Sequence, residues 1–142
     1  MITVADFMTK ELVTVKESDD LALAQSILRL GGIRHLPVVR DRKLVGLVTQ
    51  RDVLRTVGGG PLSRSVQASD IMTRELQTVA PRSSLAHAAQ IMLRHKYGCL
   101  PVCEEDGTLV GIITESDFVR FAADVVADLD MVQQAVTTRG NA

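Results

Sequence analysis

A threonine followed three residues later by an aspartate, each time after a glycine and two apolar residues, occurs twice in this chain. The two stretches are Gly46-Leu47-Val48-Thr49-Gln50-Arg51-Asp52 and Gly111-Ile112-Ile113-Thr114-Glu115-Ser116-Asp117. An apolar run ending in Thr and entering a helix brings a hydroxyl together with free first-turn amides, an arrangement that favours an anion. An Asp on the first helical turn adds two acceptor oxygens, and a carboxylate can take both hydroxyls of a ribose. Thr plus Asp therefore suits a nucleoside phosphate better than a bare phosphate, which the Asp would repel. The same spacing also lets Asp52 and Asp117 act only as helix caps. Residue type and spacing leave both readings open.

The elements that position these pairs are themselves duplicated. Asp6-Phe7-Met8-Thr9-Lys10-Glu11-Leu12 returns as Asp70-Ile71-Met72-Thr73-Arg74-Glu75-Leu76, and Leu36-Pro37-Val38 returns as Leu100-Pro101-Val102. The offset is 64 up to Asp41/Glu105 and 65 from Leu44/Leu109 onward, with fourteen and six identities respectively. One residue is thus inserted in a turn between two strands. Two units suggest a closed pseudo-symmetric pair, each burying an apolar face it cannot bury alone. In each unit a short segment leads to a β-branched strand, Leu12–Val15 or Leu76–Val79. A helix follows, with Ser18 and Ser83 or Ser84 as cap candidates and apolar residues at helical spacing: Leu21, Ala24, Ile27, Leu28, and Leu85, Ala88, Ile91, Met92. Two hairpin strands come next, His35–Arg40 with Leu44–Thr49 and Cys99–Glu104 with Leu109–Thr114, before a closing helix near Asp52 or Ser116. The expected division is repeat 1 over 1–57, a Gly/Pro/Ser linker over 58–67, repeat 2 over 68–122, and a helical extension and tail over 123–142. The extension carries Phe118, Phe121, Ala122, Val125, Leu129, Val132 and Val136 as an apolar stripe that calls for a partner, most simply a second copy of the chain. Thr137–Ala142 is expected to fray.

Composition narrows the function classes. The 142 residues are 46% hydrophobic and 23% charged, those of an ordinary globular chain. A net charge of −1 gives no reason to expect nucleic acid. No run is apolar enough to cross a membrane, and no leader precedes the first segment, so the expected location is cytoplasmic. Residues 1–57 hold nine Lys/Arg against seven Asp/Glu, and residues 58–142 hold seven against ten. The first repeat is the better host for a polyanion. Cys99 and Cys103 share one strand and read as buried, reduced thiols; four zinc ligands and a C-x-x-C pair are both lacking. His87 and His95 lie eight apart, the wrong spacing for a helical metal site, and read as surface residues. Met8 and Met72 read as packing. The glycine triplet at 58–60 is not followed by Gly-Lys-Ser/Thr, so it is no phosphate loop. No Ser or Cys has a base and orienter in view, so an enzyme is not expected; a redox role for Cys99 or Cys103 is the weakest option.

The β-α-β-β-α order with Gly-φ-φ-Thr-x-x-Asp (φ apolar) at the last strand-to-helix junction resembles the cystathionine-β-synthase (CBS) domain. Two in tandem resemble a Bateman module. The resemblance covers about 110 residues, twice in register, and implies an α+β fold of two pseudo-symmetric repeats packed as one module. It implies adenosine nucleotides (AMP, ADP, ATP, S-adenosylmethionine or NAD) in clefts between the repeats, as regulatory ligands rather than cofactors, with magnesium arriving only with ATP. By position, Asp52 and Asp117 become ribose binders and Thr49 and Thr114 phosphate binders. Thr14, Val15, Thr78 and Val79, with the residues before each Leu-Pro-Val, line the base pocket. Those residues differ between copies: Arg34 and His35 in one, Gly98 and Cys99 in the other. Arg51 precedes Asp52 where Ser116 precedes Asp117. Arg34, His35 and Arg51 could serve a polyphosphate that Glu115 would oppose, so the cleft holding Arg51 is expected to prefer more highly phosphorylated nucleotides. The family also implies a homodimer with four domains packed as a disc. With about 20 residues left after the repeats, a separate protein effector is expected. The rival expectation is a dimerisation scaffold with vestigial clefts.

Overall fold

The computed structural model describes residues 1–58 and 66–140; most of the expected linker, Gly59–Ser65, and the last two residues lie outside that set. Repeat 1 comprises α1 (Val4–Phe7), α2 (Leu21–Gly31), β1 (His35–Arg40), β2 (Lys43–Thr49) and α3 (Gln50–Val57). Repeat 2 follows as α4 (Ala68–Ile71), α5 (Leu85–His95), β3 (Cys99–Cys103), β4 (Leu109–Thr114) and α6 (Glu115–Gly140). The class is α+β, with one antiparallel hairpin in each repeat.

Local chemistry explains the element ends. Asp20, not Ser18, caps α2 by accepting from the Leu23 amide, and Ser84 caps α5 by accepting from that of His87. The Asp has the longer reach and sits directly before the first helical residue. Gly32 ends α2 in the left-handed region at φ 61°, which glycine enters without a Cβ penalty. The first hairpin turns on Asp41 and Arg42, both left-handed, and the second on Gly107. The insertion falls there, as the change of offset requires. Each hairpin also has a register shift, between Val38 and Val39 and between Val102 and Cys103.

The expected opening strands contract to single parallel bridges, Val15 to Val38 and Val79 to Val102. The Val15 amide donates to the Pro37 carbonyl at 3.0 Å, and the Val39 amide donates to the Val15 carbonyl at 2.9 Å. One rung earlier, the ladder would need amides from Pro37 and Pro101. Proline has none, so the pairing stops.

The helical segment opening each repeat packs against the other repeat. Val4 is fully buried with Val79, Leu85, Leu100 and Ile113, and Ala68 with Val15, Leu21, Leu36 and Val48. Backbone bonds fix the exchange. Val4 donates to Ser83 and Leu85 to Ile2, while Ala68 donates to Asp19 and Leu21 to Val66. Thr9 exchanges both backbone bonds with Ile112 on the edge of β4, and Thr73 does so with Leu47 on β2. Between the hairpins, Leu47, Cys99 and Ile112 form a third buried cluster, flanked by Leu12 and Leu76.

The exchange accounts for the repeated glycine of the motif. A Cβ on Gly46 would lie 2.4 Å from Met72 Sδ, and one on Gly111 2.4 Å from Met8 Sδ. The methionines are packing residues that only a glycine strand admits. α6 continues to Gly140, four residues into the stretch expected to fray. We predict that Gly111→Ala loses about 1–3 kcal/mol in denaturant unfolding, the usual range for overpacking. Met8→Ala in the same chain should recover part of that loss, and strict additivity of the two changes would contradict the contact.

Candidate functional site

Each Thr-x-x-Asp stands where a hairpin runs into a helix. Thr49 pairs with His35 across the first hairpin and caps α3. Its amide donates to Asp52 Oδ2 at 2.9 Å, and the Asp52 amide donates to Thr49 Oγ1 at 3.1 Å. The Gln50 amide donates to the Arg34 carbonyl, so the start of α3 is tied to the residue preceding β1. Thr49, Asp52, Arg34 and His35 therefore meet within one repeat. Arg34 and Arg51 are exposed, and Asp52 is half-buried. Among the described residues, Asp52 Oδ1 accepts no hydrogen bond.

The second junction repeats the frame and differs at the carboxylate. Thr114 pairs with Cys99, and the Glu115 amide donates to the Gly98 carbonyl. The Thr114 amide donates to Asp117 Oδ2 at 2.8 Å, and its hydroxyl lies at 3.2 Å from the same oxygen. Asp117 Oδ1 accepts from the Thr9 hydroxyl at 2.9 Å and forms an ion pair with Arg120. At 2% exposure, this carboxylate has donors on both oxygens and no open face. Thr9 and Arg120 are site residues that the Thr-x-x-Asp spacing does not itself reveal. Their signal was in the repeat: Thr9 recurs as Thr73 beside each methionine, and Arg120 recurs as Arg55, each three residues after its Asp.

The remaining candidates separate. Val15 and Val79 bury their side chains in the two cores, leaving half-buried Thr14 and exposed Thr78 towards the surface. Ser116 is exposed. Gly98 meets the other repeat: a Cβ there would lie 2.9 Å from His35 Nε2. Burial holds the His35 imidazole below its ordinary range, Glu115 opposes that, and the Arg34 cation adds to it. Burial pushes the Cys99 thiol up to about 12 and raises Cys103 as well, as unreactive core thiols require. Among the described residues no three His, Cys, Asp or Glu side chains gather to hold a metal ion, and no helix is long and apolar enough to cross a membrane.

The two Thr-x-x-Asp junctions stand on a pseudo-symmetric pair of hairpins, and comparison with known proteins supplies the family. The CBS domain model matches residues 4–59 and again 68–124. The chain belongs to the CBS domain family, as a tandem pair. A crystal structure of a putative acetoin utilization protein (AcuB) from Vibrio cholerae superposes with a TM-score of 0.84 at 36% identity, over 92% of this chain and 97% of that one. CBSX2 in complex with AMP gives 0.78 at 32% identity, over 88% and 98%. The CBS domain pair of MJ0100, in complex with 5′-methylthioadenosine and S-adenosyl-L-methionine, gives 0.78 at 27%, over 87% and 98%. Among curated proteins, inosine-5′-monophosphate dehydrogenase of Korarchaeum cryptofilum is 40% identical over 111 residues, 78% of this chain and 22% of that protein. The chain spans less than a quarter of the length of that relative and of two homoserine O-acetyltransferases it also matches.

Two predictions come from this geometry. Asp52→Ala should cost about 1 kcal/mol, the loss of the capping-box bond that Asp52 accepts from the Thr49 amide. Asp117→Ala should cost roughly 2–3 kcal/mol in the same denaturant titration, because it strands several donors in a buried site. Equal losses would remove the distinction between the junctions. For His35 the folded pKa is lowered, so the unfolded chain binds the proton first. Stability is then complete above about pH 6.5 and falls as pH drops through the lower folded value. His35→Gln should flatten that slope in Tm against pH.

Proposed function

We propose that this chain is a non-catalytic regulatory module that binds an adenosine-type nucleotide at the repeat junctions and signals to a separate protein. The carrying observation is the contrast between its two aspartates. Asp52 keeps one carboxylate oxygen without a partner among the described residues, beside exposed Arg34 and Arg51, and its Thr49 hydroxyl lies at a helix N-terminus. That set suits a ribose and a phosphate together. Asp117 is taken up by Thr9, Thr114 and Arg120 and has Glu115 nearby. A nucleotide reaching the second junction must displace Arg120, and a neutral adenosine compound meets less opposition there than a polyphosphate. CBSX2 bound to AMP and the MJ0100 pair bound to 5′-methylthioadenosine and S-adenosyl-L-methionine support both ligand types.

In this reading Thr49 and Asp52 hold phosphate and ribose, with Arg51 and Arg34 setting phosphate number. Thr14, Val15, His35 and their counterparts Thr78, Val79, Gly98 and Cys99 bound the base, Val15 and Val79 through their backbone. Thr114, Ser116 and Asp117 form the second site. Magnesium enters only with ATP. The module works as a homodimer in the cytoplasm, a location that two free buried thiols suit. The closure of Asp117 by its own chain favours one rival, a ligand-independent scaffold whose clefts no longer bind.

Thermal unfolding with AMP, ATP and S-adenosylmethionine in turn tests the reading. A nucleotide at about 100 times its dissociation constant should add about 2.7 kcal/mol of stability. Asp52→Ala should abolish the AMP shift, and Arg51→Ala should weaken ATP more than AMP. No shift with any of the three would install the scaffold in its place.

A further inference from the structure

Arg120 reaches Asp117 from the solvent side. The Arg120 side chain is 69% exposed and that of Asp117 only 1%, yet the two form an ion pair three residues apart in α6. The carboxylate does not depend on the arginine for its position. Oδ2 accepts from the Thr114 amide at 2.8 Å, and Oδ1 accepts from the Thr9 hydroxyl at 2.9 Å. Thr9 is itself fixed, because its backbone exchanges both bonds with Ile112 on β4. Of the side chains that donate to Asp117, Arg120 is the exposed one; Thr9 and Thr114 are half-buried. A ligand that came to this carboxylate from water would meet the guanidinium first. Repeat 1 has the same residues without the closure. Arg55 is exposed three residues after Asp52, and Asp52 Oδ1 accepts no hydrogen bond among the described residues.

We propose, on the nucleotide reading above, that Arg120 is a built-in competitor at the second junction: its guanidinium holds the place on Asp117 that a ribose hydroxyl would take. A carboxylate has about four acceptor positions. At Asp117 they are filled, Oδ1 by Thr9 and Arg120 and Oδ2 by the Thr114 amide and, at 3.2 Å, the Thr114 hydroxyl. The two hydroxyls of a ribose need two of these positions. The Thr9 hydroxyl and the Thr114 amide are held by the frame of the repeats, so the donors that can leave are Arg120 and the Thr114 hydroxyl. Turned off the carboxylate, that hydroxyl is free to donate to a phosphate. Arg120 has only to swing further into water. A nucleotide then binds only the fraction of molecules in which the arginine has swung away, and its apparent dissociation constant rises accordingly. The first junction fills before the second, and Arg120 sets the interval between them.

The test is calorimetric titration of AMP into the full chain carrying Asp52→Ala, which silences the first junction, with and without Arg120→Ala. Asp52→Ala alone should leave only weak binding, at the second junction. Removing the arginine should tighten that binding by about tenfold, the factor carried by one charge-assisted hydrogen bond. Adding Asp117→Asn should abolish the gain, which places it at this carboxylate. Arg120→Gln keeps the stem and loses the charge, and it should shift affinity in the same direction as Arg120→Ala. Thermal unfolding without nucleotide confirms that each variant is folded. Unchanged or weaker binding without Arg120 overturns the proposal, because the arginine would then be idle or would serve the ligand. A chain with both aspartates that binds one AMP, loses it with Asp52→Ala and gains no second with Arg120→Ala overturns the competitor and leaves the first junction a nucleotide site. No AMP bound by any of these chains overturns both.

Discussion

Val4 and Ala68 have no exposed surface, yet neither is buried by the repeat that it opens. Each lies in the core of the other, and with it come a helical turn, a methionine and an edge pairing. This exchange makes the two repeats one folding unit. Separating them would expose both cores and break the edge bonds of Thr9 with Ile112 and of Thr73 with Leu47 together. It also dictates sequence far from the segments themselves: Gly46 and Gly111 are glycines because a methionine from the other repeat lies where a Cβ would stand. The angle between the hairpins is thus held by packing that is interdigitated and resists continuous deformation. Anything that wedged the repeats apart would act on both cores at once.

Within this symmetric frame the two junctions diverge although their motifs match. Both aspartates are followed by an arginine three residues on, and both junctions have an exchanged threonine at the strand edge. The difference lies in which of these side chains reach the carboxylate: Arg120 pairs with Asp117. Arg55 stands in the last turn of α3, which ends at Val57, whereas Arg120 stands near the start of a helix that runs on to Gly140. Thr9 is half-buried and reaches Asp117; Thr73 is exposed. Duplicated residues therefore give one carboxylate with an oxygen to spare and one whose oxygens are engaged. Sequence identity at a motif does not fix its state; the side chains that the fold brings to it contribute as much.

The repeat, the helices and the hairpins were legible because each has a local signature: fixed offset, a 3.6 period, a turn with left-handed residues. What was not legible shows the limit of local signals. The strands at Leu12–Val15 and Leu76–Val79 have β-branched composition, but Pro37 and Pro101 on their neighbours withhold the amides a longer ladder needs. Only knowledge of the pairing exposes that conflict. Asp20 displaced Ser18 as the α2 cap because which oxygen reaches the third amide is a matter of one or two residues. The exchange of Val4–Thr9 with Ala68–Thr73 left no trace in periodicity, since an apolar segment reads the same whichever core it fills. Thr9 and Arg120 were visible as repeated residues, but their role at Asp117 exists only once the segments have crossed.

Asp117 links these features, because it belongs to three of them at once. It stands in the first turn of α6, accepts from a threonine of the exchanged segment, and pairs with an arginine one turn along the same helix. A ligand that took its oxygens would free Arg120 and loosen the Thr9 contact, and both effects would be delivered to the root of α6, where Phe121 already leans on Phe7. Coupling between a nucleotide and a partner requires that the ligand bind two states of the module with different affinity. The contacts that engage this one carboxylate are those a nucleotide at the junction would have to replace. α6 runs without a break from the junction to its exposed length, so no loop stands between them to absorb such a change.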